Sequence, residues 1–511
     1  MRHFILFSFL FCLINVVSQQ YYFGDLQSRY ILDKNQYFSK NNHTISKPYL
    51  IDRERDTLKQ IGLWEYSVSM KDANIKVLPI LSGMVNYENE LNLITSSFLI
   101  GTQINIQNNK RFFTQFRFGY QKGTISNYQI FSNYKRPLAP GVGYLNDTAK
   151  NNFNKPLIEG VLSYKLNDYF VFSGGVGQHF FGDGYRSLWL SDFAPSFPFL
   201  KLESTFWKVK YINLWSLHDD LHSNLFSSKK WSSSHMLSLN ITDWLNFSVF
   251  ESIVWQAKDS LNERGDENNR GFDINYLNPF VFFRPVEYGI GSADNSFLGA
   301  GLKISIRKHY VVYSNFILDE FLLSQFKTNN GWWGNKYGFQ IGIKAYDLFN
   351  LEGLYSLIEY NSVRPYTYSH MSSMQNYGHK NHSLAHPLES NFMEGLFLIG
   401  YQRRNFDFLF QFHMQHFGKD ISNNNYGGNM FISYDDRYNN NHEYGHVIGQ
   451  GNITNQQIIN SRISWMLSTM TNTKLFTQFN FRISTDKDSD MTSTMINFGI
   501  SSNLWQSYFD Y

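Results

Sequence analysis

Apolar and polar residues alternate along much of this chain, and tight polar turns interrupt the alternation. In the stretch 475–483, Leu475, Thr477, Phe479 and Phe481 share one face, while Gln478, Asn480 and Arg482 share the other. Residues 161–176 repeat the scheme. Leu162, Tyr164 and Leu166 oppose Ser163 and Lys165, and an Asn167-Asp168 turn leads into Phe170, Phe172 and Val176. A period of two marks strands with two chemically different faces. A soluble sandwich could not bury Lys, Arg, Gln and Asn unpaired on such a face. A closed barrel with lipid outside and a polar interior accommodates both faces.

Short polar turns punctuate the hairpins at Asn108-Asn109-Lys110, Thr242-Asp243, Arg307-Lys308-His309, Arg403-Arg404-Asn405 and Thr471-Asn472-Thr473. They suit the periplasmic end of a barrel. The stretches 132–156, 256–275, 364–390 and 418–456 are rich in Asn, Gly, His and Ser and read as extracellular loops. The expected division is a signal peptide at 1–18, a periplasmic or plug segment at 19–93 that leads into the barrel, and a transmembrane barrel at 94–511. The signal rests on Arg2 and His3 followed by the apolar run from Phe4 to Val17. Asp52-Arg53-Glu54-Arg55-Asp56 within the second segment reads as a solvated helix or loop.

Composition narrows the class. The 511 residues have a slightly negative mean hydropathy of −0.36, yet 18% are aromatic. That pairing suits strands half exposed to water, with Tyr, Trp and Phe in interfacial girdles. After the amino terminus no run of 18 apolar residues predicts a transmembrane helix. The formal charge of +3 does not call for nucleic acid. Cys12, the single cysteine, falls within the signal, so the exported chain is expected to have no disulfide and no thiolate ligand.

Three clusters invite chemistry. His442-Glu443-Tyr444-Gly445-His446 matches a zinc-protease pattern, which requires a helix to place both histidines on one face. The surrounding Asn and Gly favour a loop instead. His370, His379, His382 and His386 crowd one segment as a metal or pH-sensitive patch, or as loop residues bonded to their neighbours. Trp189, Tyr185, Trp332, Trp333, Tyr366 and Tyr368 lie near Arg186, Asp192, Lys336 and Arg364. Aromatics beside charges form either a sugar platform or an interfacial girdle, and composition alone favours the girdle.

Several segments together resemble the Wzi-type capsule-assembly family. They include Gly182-Asp183-Gly184-Tyr185-Arg186-Ser187-Leu188-Trp189, Arg284-Pro285-Val286-Glu287, Gly291-Ser292-Ala293-Asp294-Asn295 and Leu318-Asp319-Glu320-Phe321. Gly331-Trp332-Trp333-Gly334-Asn335-Lys336, Glu359-Tyr360-Asn361, Arg364-Pro365-Tyr366-Thr367-Tyr368 and Leu384-Ala385-His386-Pro387 continue the match. So does His43-Thr44-Ile45-Ser46-Lys47-Pro48-Tyr49 near the start. The resemblance covers about residues 40 to 420 and is nearest the Bacteroidota branch that includes the gliding-motility protein RemB. It implies an all-β outer-membrane barrel of about eighteen antiparallel strands with a small N-terminal helical plug. It also implies a non-enzymatic role in attaching or assembling surface polysaccharide, or in adhesion during gliding. A diffusion channel or transporter is the alternative.

The implied partners are outer-membrane lipid, surface polysaccharide and motility or secretion machinery, with a monomeric chain and no cofactor or metal. Arg186, Trp189, Trp332, Trp333, Arg364, Tyr366 and Tyr368 are the candidate glycan residues. Arg284, Glu287, Asp294, Asp319, Glu320, Lys336, Glu359 and Glu394 are expected to point inward as a salt-bridged network. On the lipid face each charge would cost roughly 2–4 kcal/mol at the midplane.

Overall fold

The computed structural model describes residues 19–21, 26–39, 43–52, 66–69, 73–90, 92–108, 111–126, 138–148, 150–221, 227–256, 258–259, 268–269, 271–279, 294–421, 424–468 and 472–502. The expected signal at 1–18, the charged run from Arg53 to Asp56, and Arg284 and Glu287 lie outside these residues.

Eighteen antiparallel strands close into one barrel. They are β1 (Ala73–Glu88), β2 (Leu93–Asn108), β3 (Phe112–Thr124), β4 (Asn152–Lys165), β5 (Phe170–Gly177) and β6 (Phe197–Phe206). Next come β7 (Val209–Leu221), β8 (Ser227–Asn240), β9 (Leu245–Gln256), β10 (Asn295–Ile306), β11 (Tyr310–Leu318) and β12 (Tyr337–Tyr346). The last six are β13 (Leu354–Val363), β14 (Phe392–Arg403), β15 (Phe406–Lys419), β16 (Asn452–Ser468), β17 (Thr473–Thr485) and β18 (Asp490–Ser502). Closure runs from Met495 opposite Glu88 to Ser502 opposite Leu81. The short strand Tyr66–Ser69 pairs with the lower part of the same β1 edge, Tyr66 opposite Val77.

Most strands obey the period of two. On β13, Tyr355, Leu357, Glu359, Asn361 and Val363 are buried inward, while Ile358 and Tyr360 face out. The outer face carries a belt of exposed apolar residues, among them Ile100, Ile158, Ile358, Trp465 and Phe498. In water such a belt would drive aggregation; in the outer membrane it is the lipid contact. Trp207, Trp244 and Phe349 stand exposed at the short-turn end, where aromatic side chains anchor at the membrane–water interface.

The barrel begins at Ala73 rather than at the expected 94. The reason is that β1 hides its alternation. In its middle, outward Val77 and Leu81 are matched by inward, buried Leu78 and Ile80, so from 77 to 81 both faces read as apolar. The expected short turns at 167–168, 242–243, 307–309 and 404–405 all join consecutive strands at one end. The other end carries the long connections.

A helix, α1 (Leu26–Tyr37), lies against the inner wall near the short-turn end. Tyr30 stacks on Tyr355 at 4.5 Å, Lys34 pairs with Asp347 of the β12–β13 turn at 2.5 Å, and Asp33 meets Lys344 of β12 at 3.0 Å. Residues 43–49 continue within the lumen. Ser46 and Lys47 pair as a short ladder with Phe180 and Phe181 from the β5–β6 connection.

That connection, 178–196, folds inward as a loop. Trp189 is fully buried, stacked on Phe250 of β9 at 5.4 Å, with its indole N–H donated to the Phe316 carbonyl at 3.0 Å. It fits because β10 has Gly299 and Gly301 at this level. A Cβ on Gly299 would stand 2.5 Å from the indole nitrogen. Around Trp189, residues of the inserted loops and of the walls form one apolar core inside the barrel, including Phe181, Leu188, Phe250, Phe297, Tyr368 and Tyr377.

Candidate functional site

Two carboxylates on neighbouring strands hold the 178–196 loop. Glu359 of β13 accepts from the Tyr185 and Arg186 backbone N–H groups at 2.8 and 3.1 Å and from the Tyr313 hydroxyl at 2.6 Å. Glu394 of β14 pairs with Arg186 at 3.4 Å and His386 at 2.7 Å, and accepts from Gln415 at 2.9 Å. Every partner is buried. Low local polarity makes such a set stabilising only when every member is bonded, which these contacts provide.

A second set closes the outer end. Lys336 pairs with Asp319 at 3.2 Å and Glu320 at 3.3 Å, and Asp319 also accepts from the Tyr368 N–H at 2.8 Å. Asp294 accepts from the Tyr276 hydroxyl at 2.6 Å and Gln375 at 3.0 Å. The six described acidic and basic residues expected to point inward thus sit in the lumen or at its mouth, each with partners.

Five of the seven candidate glycan residues are not available to a ligand. Arg186 and Trp189 are buried beneath the loop they belong to. Tyr368 is fully buried and donates its hydroxyl to the Leu188 carbonyl at 2.8 Å. Tyr366 is buried and donates to the Asn425 carbonyl at 3.1 Å. Arg364 spends its guanidinium on three backbone carbonyls, those of Asn335, Trp332 and His446, at 2.8, 3.2 and 3.3 Å. It clamps three connections together. The aromatic-plus-charge pattern arose here from packing between loops distant in sequence, so it did not mark a sugar platform.

Trp332 and Trp333 are different. They lie half-buried at the extracellular mouth, ring centres 5.8 Å apart. One carboxylate oxygen of Glu443 accepts both indole N–H groups, at 3.2 and 3.1 Å. Its other oxygen takes Arg437 at 3.3 Å, whose guanidinium lies 3.8 Å over the Trp333 ring. Tyr434 completes the group, 4.8 Å from Trp333. Arg437 is covered, whereas half of the Glu443 side chain faces solvent. The result is an exposed carboxylate fixed between two tryptophans, a geometry that can stack a sugar ring and accept its hydroxyls. Glu443, Arg437 and Tyr434 were not legible as members of this site. The bonds that join them to the tryptophans span more than a hundred residues, and spacing carries no signal across such a gap.

Glu443 also belongs to the 442–446 motif, and the motif is not a metal site. The helix Tyr438–Asn441 ends before it. His446 turns one ring nitrogen to the His442 carbonyl at 2.9 Å and the other to Gln450 at 3.2 Å. Among the described residues no group of three potential ligands could hold a metal. The four crowded histidines are buried and separately engaged. His370 and His386 each accept a nearby backbone N–H through Nδ1, from Ser372 and Leu388. Burial and Lys336 push the His370 imidazole down to about 3, which keeps it neutral.

No protein-family model matches the chain, and no curated protein matches it. Among solved structures, it is similar in architecture to OprD of Pseudomonas aeruginosa, at 9% identity and a TM-score of 0.43, over 84% of this chain and 95% of that one. OccAB4 of Acinetobacter baumannii shows 8% identity and a TM-score of 0.45, over 85% and 98%. OpdK of Pseudomonas aeruginosa, solved with vanillate, shows 6% identity and a TM-score of 0.45, over 84% and 99%. No residue role passes from those proteins to this chain.

Proposed function

We propose that this outer-membrane barrel is a non-enzymatic surface protein that holds polysaccharide at its extracellular mouth, on Trp332, Trp333 and Glu443. The observation that carries the reading is the exposed Glu443 carboxylate locked between two half-buried indoles. The inserted 178–196 loop supports it, since a lumen occupied by Trp189 and its apolar neighbours favours a role at the rim over passage through the middle. The family resemblance points the same way and adds adhesion during gliding as a variant of that role.

The test is surface-polysaccharide retention and colony spreading in a deletion strain, complemented with wild type or with Trp332→Ala/Trp333→Ala. Shedding that wild type reverses and the double substitution does not reverse supports the proposal. Retained polysaccharide with lost spreading moves the role to adhesion. Full rescue of both by the double substitution overturns the site.

A second reading has its own observation. The arc from β16 through β18 to β3 is lined by amides: Gln103, Asn105, Gln115, Asn460, Gln478 and Asn480 bond to one another along and between strands. Gln103 and Gln478 are only partly covered. A polar lining of this kind suits slow passage of small hydrophilic solutes. Stable ohmic steps in planar bilayers would favour this channel reading; a silent membrane would favour the rim.

A further inference from the structure

The connection between β13 and β14 sends a hairpin, Gly378–His379 paired with His382–Ser383, against the wall at β7. Its attachment to the wall at His379 is unusual. The backbone N–H of Asp219 on β7 points at His379 Nδ1, 3.0 Å away. An amide N–H can only donate, so Nδ1 must be the lone-pair nitrogen and the ring must be neutral with its proton on Nε2. That Nε2 is buried and has no hydrogen-bond partner. The hairpin returns one bond, from the Lys380 N–H to the Asp219 carbonyl at 2.7 Å.

We infer that His379 is a proton-operated latch: taking up a proton breaks its bond to Asp219 and releases the hairpin from the wall. The proton can enter only at Nδ1, the atom that holds the bond. Once there, two N–H groups face each other, and a charged ring is left buried. Its surroundings do not compensate it. From β7 it faces His218, whose ring lies 5.4 Å away, and from β8 it faces Lys230. Lys380 and His382 flank it on its own hairpin, and the Phe197 ring of β6 covers it at 5.8 Å. The nearby carboxylates are engaged. Asp219 contacts Lys229, and Asp220 accepts from Asn376 at 3.1 Å beside Lys230.

Burial, His218, Lys380 and Lys230 hold the His379 imidazole well below its ordinary range. A released ring would titrate near the usual value of about 6.5. The free form therefore binds protons more readily than the docked form. Docking is fully favoured above about pH 6.5 and weakens as pH falls below it. Among the described residues three histidines accept a backbone N–H through Nδ1, and of these His379 alone does so from a barrel strand. His370 and His386 bond within their own connection, so their protonation would not undo the seat on β7.

The experiment is amide hydrogen exchange on the full barrel in lipid vesicles at about pH 7.5 and about pH 5, with rates normalised to the intrinsic chemistry. Peptides spanning 376–386 should lose protection at least about tenfold at the lower pH, while peptides spanning 319–336 should not. His379→Asn places an amide oxygen near the position of Nδ1, accepts the same N–H and cannot be protonated, so its protection should be flat with pH. Unchanged protection in wild type, equal loss in both segments, or the same loss in His379→Asn overturns the latch. If His379→Asn does not assemble into a barrel, the comparison of the two segments in wild type decides alone.

Discussion

The two sides of the barrel interior solve the same problem differently. From β5 to β15 the polar wall is covered by inserted chain: α1, residues 43–49, the 178–196 loop and the 364–391 connection. From β16 through β18 to β3 the wall bonds mainly to itself, amide to amide along and across strands, with buried ion pairs, Lys474 to Asp407 and Arg117 to Glu159, at its two edges. The first arrangement concentrates stability in a few buried charges that reach between distant segments. The second spreads it over many weak, replaceable bonds. An inserted loop needs anchors that outweigh its ordering entropy, and Glu359 and Glu394 supply them. A self-bonded wall needs none.

The sharpest way to break the comparison is to remove an anchor. Glu394→Leu strands Arg186 without its carboxylate in the core and should destabilise the barrel by about 3–5 kcal/mol. Urea unfolding in detergent, followed by tryptophan fluorescence, measures it. A loss under about 1 kcal/mol would mean that the loop is not held where it lies.

A smaller effect of opposite sign is expected at Asp420, just beyond β15. Burial, and to a lesser degree Glu389, push its carboxyl up to about 6, against the Tyr426 N–H that holds one oxygen at 2.7 Å. A carboxyl raised in the folded state is stabilising when protonated and costs stability as pH rises through about 6. Asp420→Asn keeps the acceptor and should gain on the order of 1–2 kcal/mol near pH 7, with the gain fading as pH falls towards about 4. A gain independent of pH would assign the effect to something other than this charge.

The smallest effect belongs to the self-bonded arc. Gln478→Leu removes bonds to the buried Asn460 and Asn480, but these are neutral amide bonds at a position that is itself only partly covered, so the loss should be about 1 kcal/mol. Thermal unfolding of the same variant set checks it. A loss as large as that of Glu394→Leu would erase the distinction between the two sides.

Local pattern along the chain was enough to set the barrel, its orientation of faces and most of its short turns. Each of these is set by neighbours within a few residues: Leu475 and Phe479 face lipid because Asn480 and Arg482 cannot. It also marked Glu359 and Glu394 as inward, since a charge in a strand has nowhere else to go, and with them Asp319 and Lys336 at the strand ends. It hid the start of the barrel, because the middle of β1 is apolar on both faces, and it gave no sign that residues 178–196 turn inside. Which aromatics are core and which are surface depended on contacts made after the barrel closes. Trp189 and Trp333 sit in similar company along the chain, but one is sealed by Gly299, Gly301 and Phe250, and the other is met by Glu443 from a connection more than a hundred residues away. Contacts between distant loops depend on closing the barrel first, and no local pattern encodes them.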